Sequence, residues 1–143
     1  MKKGFDYTGI STVFYCHNGK GKFLMALRNN NCRDEHDRWD VGAGGLDFGI
    51  TPEDNVRKEV KEEYLADVKE IEFLGYRNVD SRIIDGKKTH WITLDFKVLI
   101  DEKNVGIGEP HKFDEIGWFT LDSIPKNIHS QLGTFLEKYK DKF

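Results

Sequence analysis

Three glutamates, Glu59, Glu62 and Glu63, crowd the end of the tract WDVGAGGLDFGITPEDNVRKEVKEE, residues 39–63. At about 100° per residue they fall on one narrow face of a helix. Val56, Val60 and Tyr64 form the neighbouring apolar stripe, while Arg57 and Lys61 point elsewhere. Like charges three or four positions apart repel by roughly 0.2–0.5 kcal/mol per pair. A helix needing only solubility would intersperse lysines among them; hard divalent cations, which bind through oxygen, would relieve the repulsion. An acidic helix face alone is most often merely solvated. The glycines in front of this one, Gly42, Gly44, Gly45 and Gly49, shift the balance, because they permit sharp turns and close approach by another group. Loop and helix together make a compact cradle for metal and phosphate.

The elements that must position this cradle are legible around it. Thr51 suits a helix cap, Pro52 the first helical position, and Glu53 and Asp54 the positive end of the dipole, predicting a helix over 52–65. Before it, strands are expected over 8–16 and 22–28 with Asn18-Gly19 in the turn. A polar loop over 29–38 and a short strand over 39–41 lead into the glycine turn. After the helix come a strand over 70–79 and a turn over 80–88 containing Asp85-Gly86. Ile92, Leu94, Phe96, Val98 and Ile100 alternate as a half-buried strand does. A loop over 102–114 precedes a last strand at 116–120. Ile128, Leu132, Phe135, Leu136 and Tyr139 recur at helical spacing. No repeat, low-complexity segment or linker interrupts this order. A mixed sheet between helices, an α/β fold in one domain over residues 1–143, is the expectation.

Composition excludes several classes. A chain of 143 residues with 38% hydrophobic and 13% aromatic residues can bury a core and is not disordered. A net charge of −3 without a dense Lys/Arg run argues against a nucleic-acid polymer as partner. Cys16 and Cys32 are too few for a disulfide scaffold, so reduced thiols in a cytoplasm are expected. No apolar stretch follows Lys2 and Lys3 as a leader would require, and none approaches a membrane span.

The tract resembles the Nudix box, written G-x5-E-x7-R-E-U-x-E-E-x-G-U with U aliphatic. Registered without gaps, Gly44 takes the first glycine, Glu59 the Glu of the R-E pair, Val60 the aliphatic position, and Glu62 and Glu63 the E-E pair. Trp39, ahead of the box, is also common in the family. Three positions depart: Ile50 stands for the first Glu, Lys58 for the Arg and Leu65 for the late Gly. Losing Glu and Arg together removes both partners of one pair, and Lys58 keeps the charge without the planar fork. Leu65 is expected to let the helix run one turn further.

The resemblance implies a Nudix-type α/β/α sandwich, a MutT-like pyrophosphohydrolase, and Mg²⁺ or Mn²⁺ held by Gly44, Glu59, Glu62 and Glu63. Glu62 and Glu63 are expected as principal ligands and Glu59 as ligand or base. Glu115, three residues before Trp118, matches a position that is often acidic in the family and serves as ligand or base; Glu109 reads as a solvated carboxylate. Arg28 ends the strand that in the family runs beside the substrate cleft and is a candidate to bind a substrate phosphate, against the alternative of an ordinary surface arginine at a strand end. Trp39 and Trp91 have faces on which a base can stack. His90 precedes the strongest strand and is expected to face the cleft. The substrate implied is a small nucleotide, a nucleoside triphosphate first and a nucleotide-sugar or ADP-ribose-like compound behind it, with a homodimer left open. The other reading is a nucleotide-binding sensor module of the same fold, for which Ile50 and Lys58 speak.

Overall fold

The computed structural model describes residues 1–143. Its elements are β1 (Gly9–His17), β2 (Phe23–Arg28), β3 (Trp39–Asp40), β4 (Gly42–Gly45), α1 (Pro52–Tyr64), β5 (Val68–Val79), β6 (Ile83–Ile84), β7 (Lys87–Lys88), β8 (Trp91–Ile100), β9 (Phe113–Phe119) and α2 (Leu132–Lys138), then a 3₁₀ turn, Lys140–Lys142. Seven strands form one mixed sheet. β1 runs parallel to β8 from Gly9↔Trp91 to His17↔Leu99, and β8 runs antiparallel to β5. β2 pairs with β9 and β3. β1 and β2 meet only beside their turn, at His17↔Phe23, and then part. The segment 39–45 enters this fork, pairing first with β2 through β3 and then with β1 through β4.

Strand alternation sends side chains to opposite faces. Phe14, Cys16, Leu24, Phe96 and Val98 pack on Val56, Val60 and Tyr64 of α1. Val13, Tyr15, Phe23 and Met25 pack on Leu132, Phe135 and Tyr139 of the C-terminal segment. The result is the expected α/β/α sandwich. No helix is long and apolar enough to cross a membrane.

Several local expectations shift. The glycine turn is itself a strand, β4, because its backbone finds partners in Ser11–Phe14 that glycine's missing side chain cannot announce. The C-terminal helix begins at Leu132 rather than Ile128, since Ile128 is bridged to Trp39. The 80–88 turn carries a small ladder, β6 with β7, across Asp85 and Gly86, both at positive φ as such two-residue turns need.

A buried ionic knot joins the sheet to the C-terminal segment. Arg77 donates to both oxygens of Asp95, at 2.8 and 3.0 Å; Thr93 and Tyr139 donate to the same carboxylate at 3.0 and 2.6 Å. Asp95 is fully buried. Each donor satisfies a lone pair that burial would otherwise leave bare. Asp95→Asn would leave the Arg77 guanidinium buried without its counter-charge, at an expected cost of about 3–5 kcal/mol. The midpoint of urea unfolding reads this directly, and an unchanged midpoint would show that the knot does not hold the fold.

Candidate functional site

The acidic helix is fixed at both ends. Thr51 Oγ1 accepts from the Asp54 N–H at 3.1 Å, and Pro52 opens α1. At the other end Leu65 takes the left-handed conformation itself, φ 57°, and its N–H donates to the Lys61 carbonyl. The helix therefore stops at Tyr64 instead of running one turn further. A side chain in this conformation costs roughly 1–2 kcal/mol; glycine would avoid that cost. The loop after β8 supplies the compensation. Gly106 and Gly108 donate their N–H groups to the carbonyls of Tyr64 and Glu63. Gly108 lies so close that a Cβ there would sit 1.8 Å from the Glu62 carbonyl oxygen. This contact brings the next residue, Glu109, to the acidic face.

Asn55 ties α1 to the strands. It is fully buried, and its amide donates to Thr12 Oγ1 at 2.9 Å and to the Gly45 carbonyl at 3.2 Å, while its oxygen accepts from the Asp47 N–H. Thr12 in turn donates to the Gly44 carbonyl. Gly44 then meets Glu59: a Cβ on Gly44 would lie 2.3 Å from the Glu59 carboxyl carbon. Only glycine allows backbone and carboxylate to come so near.

The glutamates are not equivalent. Glu63 is 6% exposed and its carboxylate makes no hydrogen bond or ion pair. Burial pushes it well above the ordinary carboxylate range, and the charges of Glu59, Glu109 and Asp40 push the same way. Burial also raises Glu59, with Glu62 and Glu109 adding to it and Lys58 opposing. Glu62 is largely exposed. Lys58 Nζ sits 2.8 Å from Asp47 Oδ2, 3.4 Å from Glu59 Oε1 and 3.5 Å from Glu62 Oε1. Its ammonium is held charged above the usual lysine range, first by the Asp47 hydrogen bond. Lys58 thus has a carboxylate partner after all, supplied by Asp47 rather than by position 50. No three His, Cys, Asp or Glu side chains converge as a ready-made metal cage. The donor chemistry nonetheless suits a hard cation: Glu63 is a largely buried carboxylate without an ion pair, close to Glu59, which itself packs on the Gly44 backbone.

On the opposite sheet face lies a cavity of about 270 Å³, bounded by Arg33, Asp40, Gly44, Arg77, Trp91 and His129 among others. Its size falls near the low end of ligand pockets, roughly 300–1,000 Å³. Asp40 sits where the cavity meets the acidic cluster. Burial raises its carboxyl, against the pull of His129 and Arg28. Arg28 lines the cavity, but its guanidinium is taken by Asp34 through the carbonyl and, at 3.1 Å, the carboxylate. Asp34 also pairs with Arg82. Arg33 is the cavity arginine without an ion pair; it lies over the rings of Phe5 and Trp91, at 5.7 and 5.9 Å.

The structure leaves three sequence candidates outside this arrangement. Glu115 is exposed on β9 opposite Leu27, on the sheet face away from α1. Trp39 packs edge-on against Phe119 in the core and does not line the cavity. His90 bridges Thr8 and Asn78 at the surface. Glu109, Asp47, Asn55 and Arg33 occupy the places that sequence reading did not assign. Asn55 had one signal, a polar residue on the helix's apolar side.

A family model described as NUDIX domain matches residues 8–139. Among solved structures, the MutT NUDIX hydrolase from Burkholderia pseudomallei superposes with a TM-score of 0.79 at 20% identity, covering 92% of this chain and 98% of that one. The MutT protein from Methanosarcina mazei Go1 gives 0.75 at 22%, covering 94% of each. The NUDIX domain of Shewanella oneidensis NrtR, complexed with ADP ribose, gives 0.73 at 16%, covering 99% and 90%. At these identities the likeness is one of fold. No curated protein matches the chain.

Glu63 carries a consequence for stability. The folded protein holds its proton more tightly than the unfolded chain, whose value is near 4.5. Stability from the protonated carboxyl is therefore complete below that value and is lost as pH rises through the folded one. Glu63→Gln should flatten this decline and raise the melting temperature of the metal-free protein at neutral pH. Thermal unfolding from about pH 5 to about pH 8 measures it; parallel curves for the two proteins would mean that Glu63 is not a strained acid.

Proposed function

The chain belongs to the Nudix family of pyrophosphohydrolases, and we propose that it splits the phosphoanhydride of a nucleoside triphosphate or nucleotide-diphosphate derivative by metal-dependent attack of water at phosphorus. The observation that carries this reading is Glu63: a largely buried carboxylate without a hydrogen bond or ion pair, close to Glu59, whose carboxyl packs on Gly44, which in turn lines a cavity of about 270 Å³. A charge so placed is costly unless a cation joins it.

Glu59 and Glu63 would hold Mg²⁺ or Mn²⁺ with the Gly44 carbonyl, and Glu62 stands beside them on the exposed side. The bound ion supplies positive charge that polarises the anhydride and acidifies water. Glu109, close enough to raise both Glu59 and Glu63, takes the proton that water loses as its oxygen bonds to phosphorus. The anhydride P–O bond breaks and its electron pair leaves with the departing phosphate. Gly44 and Gly45 let the phosphates lie close to the backbone where acidic face and cavity meet. The nucleoside occupies the cavity, where the Arg33 guanidinium, which makes no ion pair and lies over the Trp91 ring, is offered to an anionic group.

The nucleotide-sensor reading keeps one observation in its favour, the Lys58 ammonium already seated among the carboxylates. The NrtR NUDIX domain, which is bound to ADP ribose, makes such a compound a useful member of any ligand panel. Reaction in ¹⁸O-labelled water separates the two. A hydrolase puts label into a phosphate-bearing product, stops with a chelator, and recovers with Mg²⁺ or Mn²⁺. Binding without labelled product across nucleoside triphosphates, nucleotide sugars and ADP-ribose would decide for the sensor. Within the hydrolase reading, Arg33→Ala should raise KM about tenfold with kcat little changed, as expected when a binding contact is lost. An unchanged KM would take Arg33 out of the substrate site.

A further inference from the structure

The carboxylates form two lobes that share Glu59. In the inner lobe Glu63 is buried and makes no ion pair, with the charges of Glu109 and Asp40 bearing on it; the Lys112 ammonium opposes them but pairs with Glu109, at 3.7 Å. The outer lobe comprises Asp47, Glu59 and Glu62, and Lys58 Nζ lies within 3.5 Å of all three. An ammonium has three N–H donors, and three carboxylates surround this one. One positive charge, covalently attached to α1, therefore already sits in the outer lobe and offsets part of its negative charge.

We infer that Lys58 is a built-in cation: it occupies the outer lobe, so that the protein takes one divalent ion, in the inner lobe, and offers the Lys58 ammonium to the substrate's phosphates in place of a second. This rests on the hydrolase reading above. Two features of the chain fit it. Asp47 sits on the glycine loop, so the Lys58–Asp47 contact also holds that loop to the helix. Ile50 leaves the outer lobe without the carboxylate that the box would place there, so fewer negative charges remain to draw in a second ion. Lysine suits the role better than arginine would, because its charge is compact and its donors can point three ways. A divalent ion at Glu62 would have to displace this ammonium or share carboxylates with it at short range, where two positive charges repel strongly.

Titration of the metal-free protein with Mn²⁺ tests this without turnover, by calorimetry and by the electron-spin-resonance signal of free Mn²⁺. Wild type should bind one ion. Lys58→Met should bind a second, or bind Mn²⁺ about tenfold or more tightly overall. Lys58→Arg, which keeps the charge, should stay at one. Should Lys58→Met fold poorly by circular dichroism, Lys58→Gln carries the same comparison. Equal counts and affinities in wild type and the neutral variants, with at least one ion bound, would overturn the inference and leave the hydrolase reading standing. No Mn²⁺ bound by any of the proteins would remove the inner site as well, and with it the reading on which the inference rests. A second ion in Lys58→Arg would also overturn it, by showing that packing and not charge sets the count.

Discussion

Placing the Glu63 carboxyl in a largely buried position near Glu59, Glu109 and Asp40 is unfavourable by burial and by repulsion together. Such an arrangement persists only if the elements carrying these groups cannot move apart. α1 is capped by Thr51 at its start and, at its end, by the N–H groups of Gly106 and Gly108, which donate to its last carbonyls. Asn55 fastens its first turn to Thr12 and Gly45, and the Val56, Val60 and Tyr64 stripe seats it on the sheet. These contacts overdetermine the helix position, which is how a fold maintains a locally strained charge. In the proposed reading the same strain would give a cation its binding energy, because an ion would relieve what the fold maintains.

The fork between β1 and β2 decides where the two halves of the site meet. In an ordinary sheet the α1 face and the α2 face are separated by side chains. Here 39–45 fills the fork with Gly42, Ala43, Gly44 and Gly45, so little bulk stands between the acidic cluster and the cavity. Gly44 turns toward Glu59, while Ala43 and Gly45 border the cavity. In the proposed reading one ligand spans both, with its phosphates at the glycines and its nucleoside on the far side. The Arg77–Asp95 knot holds the cavity floor beneath it.

What was legible in the sequence was local. The acidic face, the helix start at Thr51 and the alternation over 92–100 depend on neighbours within a few positions, and each appears in the structure. What was not legible depended on chain segments far apart. Glu109 reads as solvated until Gly108 is seen packed on the Glu62 carbonyl. Glu115 looked better placed by its motif, but its pairing with Leu27 turns it to the other face. Arg28 lines the cavity, but its guanidinium is bonded to Asp34, a partner that no local pattern announces. β4 was hidden because glycine has no side-chain pattern, and its pairing with β1 is a backbone matter alone. The mixed sheet and its flanking helices emerged because they sum many local signals, none of which had to be right singly.

The departures from the box are connected through one charge. A lysine at position 58 carries a compact charge on a flexible stem with no planar fork to align, so its partner need not stand at position 50. Asp47, three residues earlier on the glycine loop, meets it at 2.8 Å. Position 50 is then free of electrostatic duty, and Ile50 remains partly exposed. The pair has been relocated rather than lost. Relocation has a geometric consequence: an ammonium anchored by Asp47 stands over the shared edge of Glu59 and Glu62. Glu62 is thereby drawn into an ion pair at the surface, and Glu63, which Lys58 does not reach, becomes the carboxylate with the most to gain from a metal. In the proposed reading, the altered residues would therefore change which glutamate bears the ion more than whether one can bind.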